Sequence, residues 1–385
     1  KSIYLVDFKT FVPPDEWKVS HEKFLRLYKK NFNFEQVDVA ADFASKLLER
    51  SGLGEDTYFP PGMHCSPPEN TLPFARQEAE TVMFGVLNDL FASTSTNPAD
   101  VDILIVNCSL FNPTPSLTSM IVNRYKMREG IQSYNLSGMG CSAGVIAVHL
   151  AKDLLQVYRD SVAVVVSTEN ITQNVYCGKE RSMQISNTLF RVGGAAILLS
   201  NRRTDKRRAR YILQHSVRTH IGANDDAYRA DAGGEVGVRL DRNLMTVAAR
   251  ALKRNITALA PLILPWSEQV RYVGNVVLQF IDKWVDKKPT GAPYVPNFRK
   301  AIDHFCIHAG GRGVIDSIQD ALQLSVDDVA PSRFALHRFG NTSSSSIWYE
   351  LQYIEENRSI RRGQTVWMIA FGSGFKCNSV ILQVL

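Results

Sequence analysis

Between residues 101 and 200 the chain repeats one pattern: a short run of β-branched and aliphatic residues, a turn, then apolar residues at helical spacing. The runs are Val101-Asp-Ile-Leu-Ile-Val-Asn107, Gln132 to Leu136, Ser161-Val-Ala-Val-Val-Val-Ser167 and Gly193-Gly-Ala-Ala-Ile-Leu-Leu-Ser200. Strands this apolar have no face for water, so helices must cover both sides of their sheet. The same rhythm returns at His304-Phe-Cys-Ile-His308, in a helix over 314–322, in a helix opening at Asn341, and in the strand Thr365-Val-Trp-Met-Ile-Ala-Phe371. A final strand runs from 379 to 385. The chain is therefore expected to be α/β with a largely parallel sheet. Its two passes share a rough order of strand, turn carrying a reactive residue, helix, strand, glycine turn and strand, which reads as a duplication.

Three regions follow: 1–201, 202–295 and 296–385. In the first, helices are expected over 20–50 and 74–91, the latter with Ala79, Val82, Met83, Val86, Leu87 and Leu90 facing inward. The middle region begins polar and irregular, with a basic cluster, Arg202-Arg-Thr-Asp-Lys-Arg-Arg-Ala-Arg210, that is either a phosphate patch or a solvated loop. A helix is expected over 244–259. Residues 260–284 are apolar but interrupted by Glu268, Arg271 and Asp282, so they form a core or acyl-tunnel helix or one resting on a membrane. No run approaches the roughly 20 uncharged apolar residues that a spanning helix needs.

The net charge of +6 suits an anionic small ligand or a membrane surface, and no basic, aromatic-laced repeat points to nucleic acid. Six scattered cysteines without a C-x-x-C pair exclude a zinc ribbon or disulfide scaffold and point to reduced thiols facing the cytosol. Glycosylation sequons at Asn107, Asn135, Asn170, Asn255 and Asn341 mostly fall in segments expected to be core or catalytic, which agrees with that compartment.

Chemistry concentrates at three glycine-flanked positions. In Tyr134-Asn-Leu-Ser-Gly-Met-Gly-Cys-Ser-Ala-Gly144 a strand ends, turns sharply and leads into a helix carrying Val145, Ile146, Leu150, Leu154 and Val157. Cys141 lies on the turn, where unpaired amides and the helix dipole favour a thiolate. Its bland alternative is a small buried hydrophobe. His308, in Ile307-His-Ala-Gly-Gly311, is a core histidine or a catalytic one. Asn341, in Arg338-Phe-Gly-Asn341, is a helix N-cap or a ligand-binding carboxamide. Together they meet one need: a thiolate to take an acyl group, and two N–H donors to hold the enolate formed when a neighbouring carboxylate leaves as CO2. That chemistry calls for no metal and no redox cofactor. Glu169 is either a general base or a structural carboxylate at a strand end.

The stretches Tyr4-Leu-Val-Asp7, Asn135 to Gly144, Phe305-Cys-Ile-His-Ala-Gly-Gly-Arg312, His337 to Leu351 and Ala370-Phe-Gly-Ser-Gly-Phe-Lys-Cys-Asn-Ser379 resemble the plant-type 3-ketoacyl-CoA synthases. These are the condensing enzymes of very-long-chain fatty acid elongation. The resemblance implies a thiolase-like fold with two mostly parallel, five-stranded sheets, and a homodimer at the endoplasmic reticulum membrane whose catalytic body faces the cytosol. It further implies two N-terminal membrane helices that this chain does not include, and other elongase enzymes as partners. Acyl-CoA and malonyl-CoA are then the substrates, and Cys141, His308 and Asn341 the triad. His337, four residues before Asn341, reads as a supporting group, and the turn Gly372, Ser373, Gly374 is either a source of oxyanion-hole amides, which the resemblance favours, or a plain β-hairpin. The opening departs from the family, with Lys9-Thr-Phe-Val where a cysteine-containing stretch is common. A type III polyketide synthase would use the same triad repeatedly, and a non-catalytic acyl-binding scaffold is the reading from a different class.

Overall fold

In a computed structural model, residues 1–31, 37–176, 180–225, 244–284 and 294–385 are described. The strands are β1 (Ile3–Thr10), β2 (Lys18–Val19), β3 (Thr57–Tyr58), β4 (Ile103–Asn107), β5 (Gln132–Leu136), β6 (Val162–Thr168), β7 (Gly194–Ser200), β8 (Tyr211–His220), β9 (His304–Ile307), β10 (Thr365–Gly372) and β11 (Lys376–Val384). The helices are α1 (His21–Asn31), α2 (Val37–Ser51), α3 (Pro61–His64), α4 (Leu72–Thr94), α5 (Leu117–Tyr125), α6 (Ala143–Val157), α7 (Arg181–Leu189), α8 (Leu244–Ile263), α9 (Trp266–Trp284), α10 (Arg312–Leu322), α11 (Ala330–Phe339) and α12 (Ser346–Asn357).

Nine strands form one sheet in the order β5-β4-β6-β7-β1-β8-β11-β10-β9. The α/β class and the thiolase-like plan are as expected, but the arrangement differs from two separate, mostly parallel five-stranded sheets. Only the ends are parallel, where β4 pairs with β5 and β6, and β10 with β9. The centre is antiparallel, and β1 joins the two sections by pairing with β7 on one side and, through Ile3–Leu5, with β8 on the other. A strand buried on both faces carries the same apolar run whichever way its neighbour points, so direction was invisible in the pattern.

The second difference is β8. Residues placed in a polar, irregular stretch form a ten-residue strand that pairs with β11 along nearly its whole length. Its solvent-side residues Gln214, Arg218 and His220 had masked it.

Side-chain alternation along the strands builds three cores. Ile103, Ile105, Ala163, Val165, Val366, Met368 and Ala370 face inward onto α6 and α12, which lie between the two sections of the sheet. Leu104, Val106, Val164, Val166, Ala196 and Leu198 face the opposite way, onto α4 and α5. Phe305, Ile307, Trp367, Ile369 and Phe371 pack on α8, α10 and α11. Each large aliphatic side chain buried this way contributes roughly 1.5–3 kcal/mol. The inner side of α4 is buried as the periodicity predicts.

Half of the basic cluster is tied down, while Arg203, Lys206 and Arg207 are exposed. Arg202 bonds the Asp160 carbonyl and pairs with Asp102, Arg208 pairs with Asp205, and Arg210 bridges Asp7 and Glu355. Asn107, Asn170, Asn255 and Asn341 are buried, so four of the five sequons are closed to glycan. Cys65, Cys108, Cys141, Cys306 and Cys377 form no disulfide, and Cys177 lies outside the described residues.

One of the readings open for residues 260–284 is decided by α9. It forms as a helix, but Trp266, Val270, Val273, Val277, Phe280 and Trp284 are exposed, so it is not a core helix.

Candidate active site

β5 ends at Leu136, and the chain reverses through Gly138 and Gly140, both in the left-handed region, into one 3-10 turn, Gly140–Ser142, that runs on as α6. Cys141 sits on that turn, half-buried, two residues before α6 begins at Ala143. The turn is fixed from two sides. The Ser109 hydroxyl accepts the Gly140 N–H at 2.9 Å, and the backbone of Gly372 and Ser373, where β10 turns into β11, lies directly against it. A Cβ at Gly140 would collide with the Ser373 amide, and one at Gly372 would collide with the Ser142 hydroxyl. Gly is therefore required at both positions for the two turns to touch.

His308 follows the last residue of β9, with its N–H held by the Ile369 carbonyl at 3.0 Å. Its imidazole is 4% exposed, and burial pushes its pKa down to about 4, so it is neutral at physiological pH and carries one N–H donor. The Gly310 Cα packs against the ring: a Cβ there would approach Nε2 at 3.2 Å.

Asn341, also 4% exposed, follows Gly340, whose positive φ ends α11. Its backbone bridges to the segment after α7: its N–H reaches the Leu189 carbonyl at 3.1 Å, and its carbonyl accepts the Arg191 N–H at 2.9 Å. Its Oδ1 accepts the Ser343 N–H at 2.8 Å, and Nδ2 donates to the Gly310 carbonyl at 3.2 Å. Those two bonds set the orientation of the amide and leave its second N–H for a ligand.

Cys141, His308 and Asn341 line one cavity of about 320 Å³, with Gly372 and Ser373. Leu47, Leu189, Phe190, Val314 and Phe375 make it largely apolar, while Arg50 and Arg312 bring guanidinium groups to its wall.

Two site residues stand elsewhere. Gly374 faces β8 and accepts the His220 Nε2 at 2.8 Å, so only Gly372 and Ser373 of that turn reach the cavity. His337 is exposed, packs against Gly54, and is not part of the cavity wall. It lies four residues before Asn341, but α11 ends at Phe339, so helical spacing no longer puts the two on one face.

Glu169 lines the same cavity and is central to its hydrogen bonding. One carboxylate oxygen accepts the N–H groups of Ser109 at 3.0 Å and Leu110 at 2.8 Å and the Cys108 thiol at 3.3 Å; the other accepts the Ser343 hydroxyl at 3.0 Å. Burial raises its pKa against those bonds. It thus ties the Ser109 loop, which holds the Cys141 turn, to Ser343, which orients Asn341. Behind His308, Glu350 does similar work on β9 and α11: its carboxylate takes the Ser332 hydroxyl at 2.6 Å, and Ser332 in turn accepts the Ile307 N–H at 3.1 Å. Sequence reasoning missed Glu350, and its only signal was a glutamate inside an apolar helix.

Residues 1–281 match the family described as FAE1/Type III polyketide synthase-like protein, and residues 299–384 match the C-terminal part of 3-oxoacyl-acyl-carrier-protein (ACP) synthase III. The 3-ketoacyl-CoA synthase 4 of Arabidopsis thaliana is 56% identical over 390 residues, covering 100% of this chain and 74% of its own length. The probable 3-ketoacyl-CoA synthase 20 of Oryza sativa subsp. japonica is 52% identical over 391 residues, covering 100% and 73%. Among solved structures, CsyB complexed with CoA-SH superposes with a TM-score of 0.75 at 17% identity, covering 100% of both chains. The C-terminal type III polyketide synthase domain of Steely1 from Dictyostelium gives 0.75 at 15% identity, covering 100% of this chain and 99% of that one. At such identities these two structures share the thiolase-like fold.

Proposed function

The chain belongs to the 3-ketoacyl-CoA synthase family, and we propose that it joins a long-chain acyl-CoA to malonyl-CoA by decarboxylating Claisen condensation, giving 3-ketoacyl-CoA, CoA and CO2 in fatty acid elongation. The observation that carries this reading is the meeting of Cys141, His308 and Asn341, from three distant segments, in one largely apolar cavity.

The Cys141 thiolate attacks the acyl-CoA carbonyl, and CoA leaves, so that the acyl chain is held as a thioester on Cys141. The amides of Cys141 and Ser373 are candidates to hold the oxyanion of that step, because the two turns touch. Malonyl-CoA then enters with its thioester carbonyl toward the N–H groups of His308 and Asn341. The C–C bond to its carboxylate breaks, CO2 departs, and the electron pair becomes an enolate that the two donors stabilise. The enolate carbon attacks the acyl thioester, and collapse of the adduct returns the thiolate to Cys141. A neutral, water-excluded imidazole suits this role, because its hydrogen bond strengthens as charge develops on the carbonyl oxygen. Loss of CO2 drives the carbon–carbon bond, so the reading requires no metal or redox cofactor.

Arg50 and Arg312 on the wall favour a carrier bearing phosphates, as acyl-CoA and malonyl-CoA do. The reading extends to a homodimer at the endoplasmic reticulum membrane, working beside the other enzymes of elongation. Among the described residues no helix is long and apolar enough to cross a membrane.

Purified protein, malonyl-CoA labelled at its carboxyl carbon and a series of acyl-CoA primers test the chemistry. One CO2 released per two-carbon extension is the expected outcome. Repeated extension on one primer would make it a polyketide-forming enzyme instead, and no release with any primer would end the condensing reading.

A further inference from the structure

Helix α9 is mounted with its polar side inward. Glu268 is fully buried and bonded to Lys300 at 2.6 Å, to the Tyr294 hydroxyl and to the Asn297 N–H at 2.9 Å. These partners hold its carboxyl well below the usual carboxylate range, the Lys300 bond first among them. Asn275 accepts the Tyr294 N–H at 3.0 Å, and Gln269 donates to the Leu264 carbonyl at 2.7 Å. The opposite side is an unbroken apolar stripe: Trp266, Val270, Val273, Val277, Phe280 and Trp284. The two tryptophans that end it are 80% and 84% exposed. Single exposed hydrophobes are ordinary, but a stripe along a 19-residue helix, about 28 Å long, is not.

We infer that the outward face of α9 is a docking surface for an anionic phospholipid bilayer, on which the helix lies flat. Three observations select lipid over protein. Tryptophans close both ends of the stripe, where an interfacial helix places rings that are apolar in body and polar at the N–H. On α8 Arg250, Lys253 and Arg254 are exposed, while Glu268 is already matched by Lys300 and by Arg271 at 3.8 Å. That excess of positive charge complements anionic headgroups. A second copy seated on the same face would instead oppose two net-positive hairpins across a twofold axis. The arm that bears α9 also reaches the catalytic cavity, since Ala248 of α8 lines it and Val247, Ala251 and Leu252 anchor α8 in the core. Docking therefore fixes the cavity relative to the membrane in which long acyl chains dissolve.

Flotation of the full chain with vesicles of phosphatidylcholine, alone or mixed with phosphatidylserine, tests this. The wild type is expected to float with the mixed vesicles, to show blue-shifted tryptophan emission, and to detach as salt is raised. The double variant Val273→Asp, Phe280→Asp is expected to lose partition at least tenfold while keeping its circular dichroism and its condensation of dissolved primers. The Cys141→Ala protein is expected to float like the wild type, which separates failure of this inference from failure of the condensing assignment. The inference is overturned if the wild type fails to float with either vesicle, or if the double variant floats as well as wild type. It is also overturned if the double variant merely turns a dimer into a monomer with partition unchanged.

Discussion

The two sides of the catalytic cavity are built on opposite terms. Cys141 is half-buried on a turn that only glycines permit, with the amides of α6 beyond it. His308 and Asn341 are almost wholly buried, and their backbones are pinned by β10 and by the segment after α7. On the proposed reaction the difference follows the division of labour. A nucleophile must be reached by two successive thioesters, and it gains from the helix dipole without leaving water altogether. Donors that stabilise a fleeting enolate gain from being dry and fixed, because a low dielectric strengthens their hydrogen bonds and no reorganisation is needed. Glu169 is bonded toward both sides.

If that contrast holds, damage to each side should be separable. Replacement of Cys141 by Ala should have the largest effect, with condensation falling at least about ten-thousandfold and no acyl adduct visible by intact mass. His308→Ala and Asn341→Ala should each lose about 100- to 1000-fold in decarboxylation yet still form the adduct. Loss of loading in both would show that the two sides are not independent. Gly140→Ala forces a Cβ onto the Ser373 amide at a backbone geometry that L residues avoid. It should cost roughly 2–3 kcal/mol of stability, read from denaturant unfolding, and loading should fall before decarboxylation does. Glu169→Gln should be milder, about tenfold in turnover, since a carboxamide keeps one acceptor oxygen but weakens the hold on Ser343. An equal loss of both half-reactions would support its bridging place.

The last effect is in pH. Burial lowers the pKa of both His308 and His149 to about 4, whereas in the unfolded chain each titrates near 6.5. Between those values the unfolded state binds protons that the folded state refuses, so stability falls as pH drops from 6.5 toward 4 and is fully present above 6.5. The slope approaches ~1.4 kcal/mol per pH unit for each group. His308→Asn should flatten it in chemical denaturation measured across that range. A turnover profile with a limb at 6.5 belonging to His308 would contradict its dry setting.

Much of the candidate site was legible as a shared cavity wall because its residues sit where apolar strands stop and glycines begin, and those signals survive in one dimension. Cys141, His308 and Asn341 each mark such a junction. His337 misled because a spacing of four means proximity only while the helix continues, and α11 ends before Asn341. Glu350 was hidden because its partners, Ser332 and the backbone of β9, are distant in sequence. The same limit governs the fold. The covered strands β4, β6, β7 and β10 announce themselves by unbroken hydrophobicity, whereas β8, with polar residues along most of its length, looked like a loop. Apolar content showed that α9 has something to cover but left core, tunnel and membrane equally open, because burial is decided by the rest of the fold.

The place of β1 has a consequence for how the molecule is made. Of the nine strands in this sheet the one synthesised first stands in its middle, and Tyr4 must wait for Ser200 and Ile212 before both its edges are paired. Contacts that remote close slowly, and an apolar strand with open edges invites association with other chains in the interval. Nascent molecules should therefore lean on chaperones until β8 emerges, and a fragment ending before β8 should aggregate rather than fold.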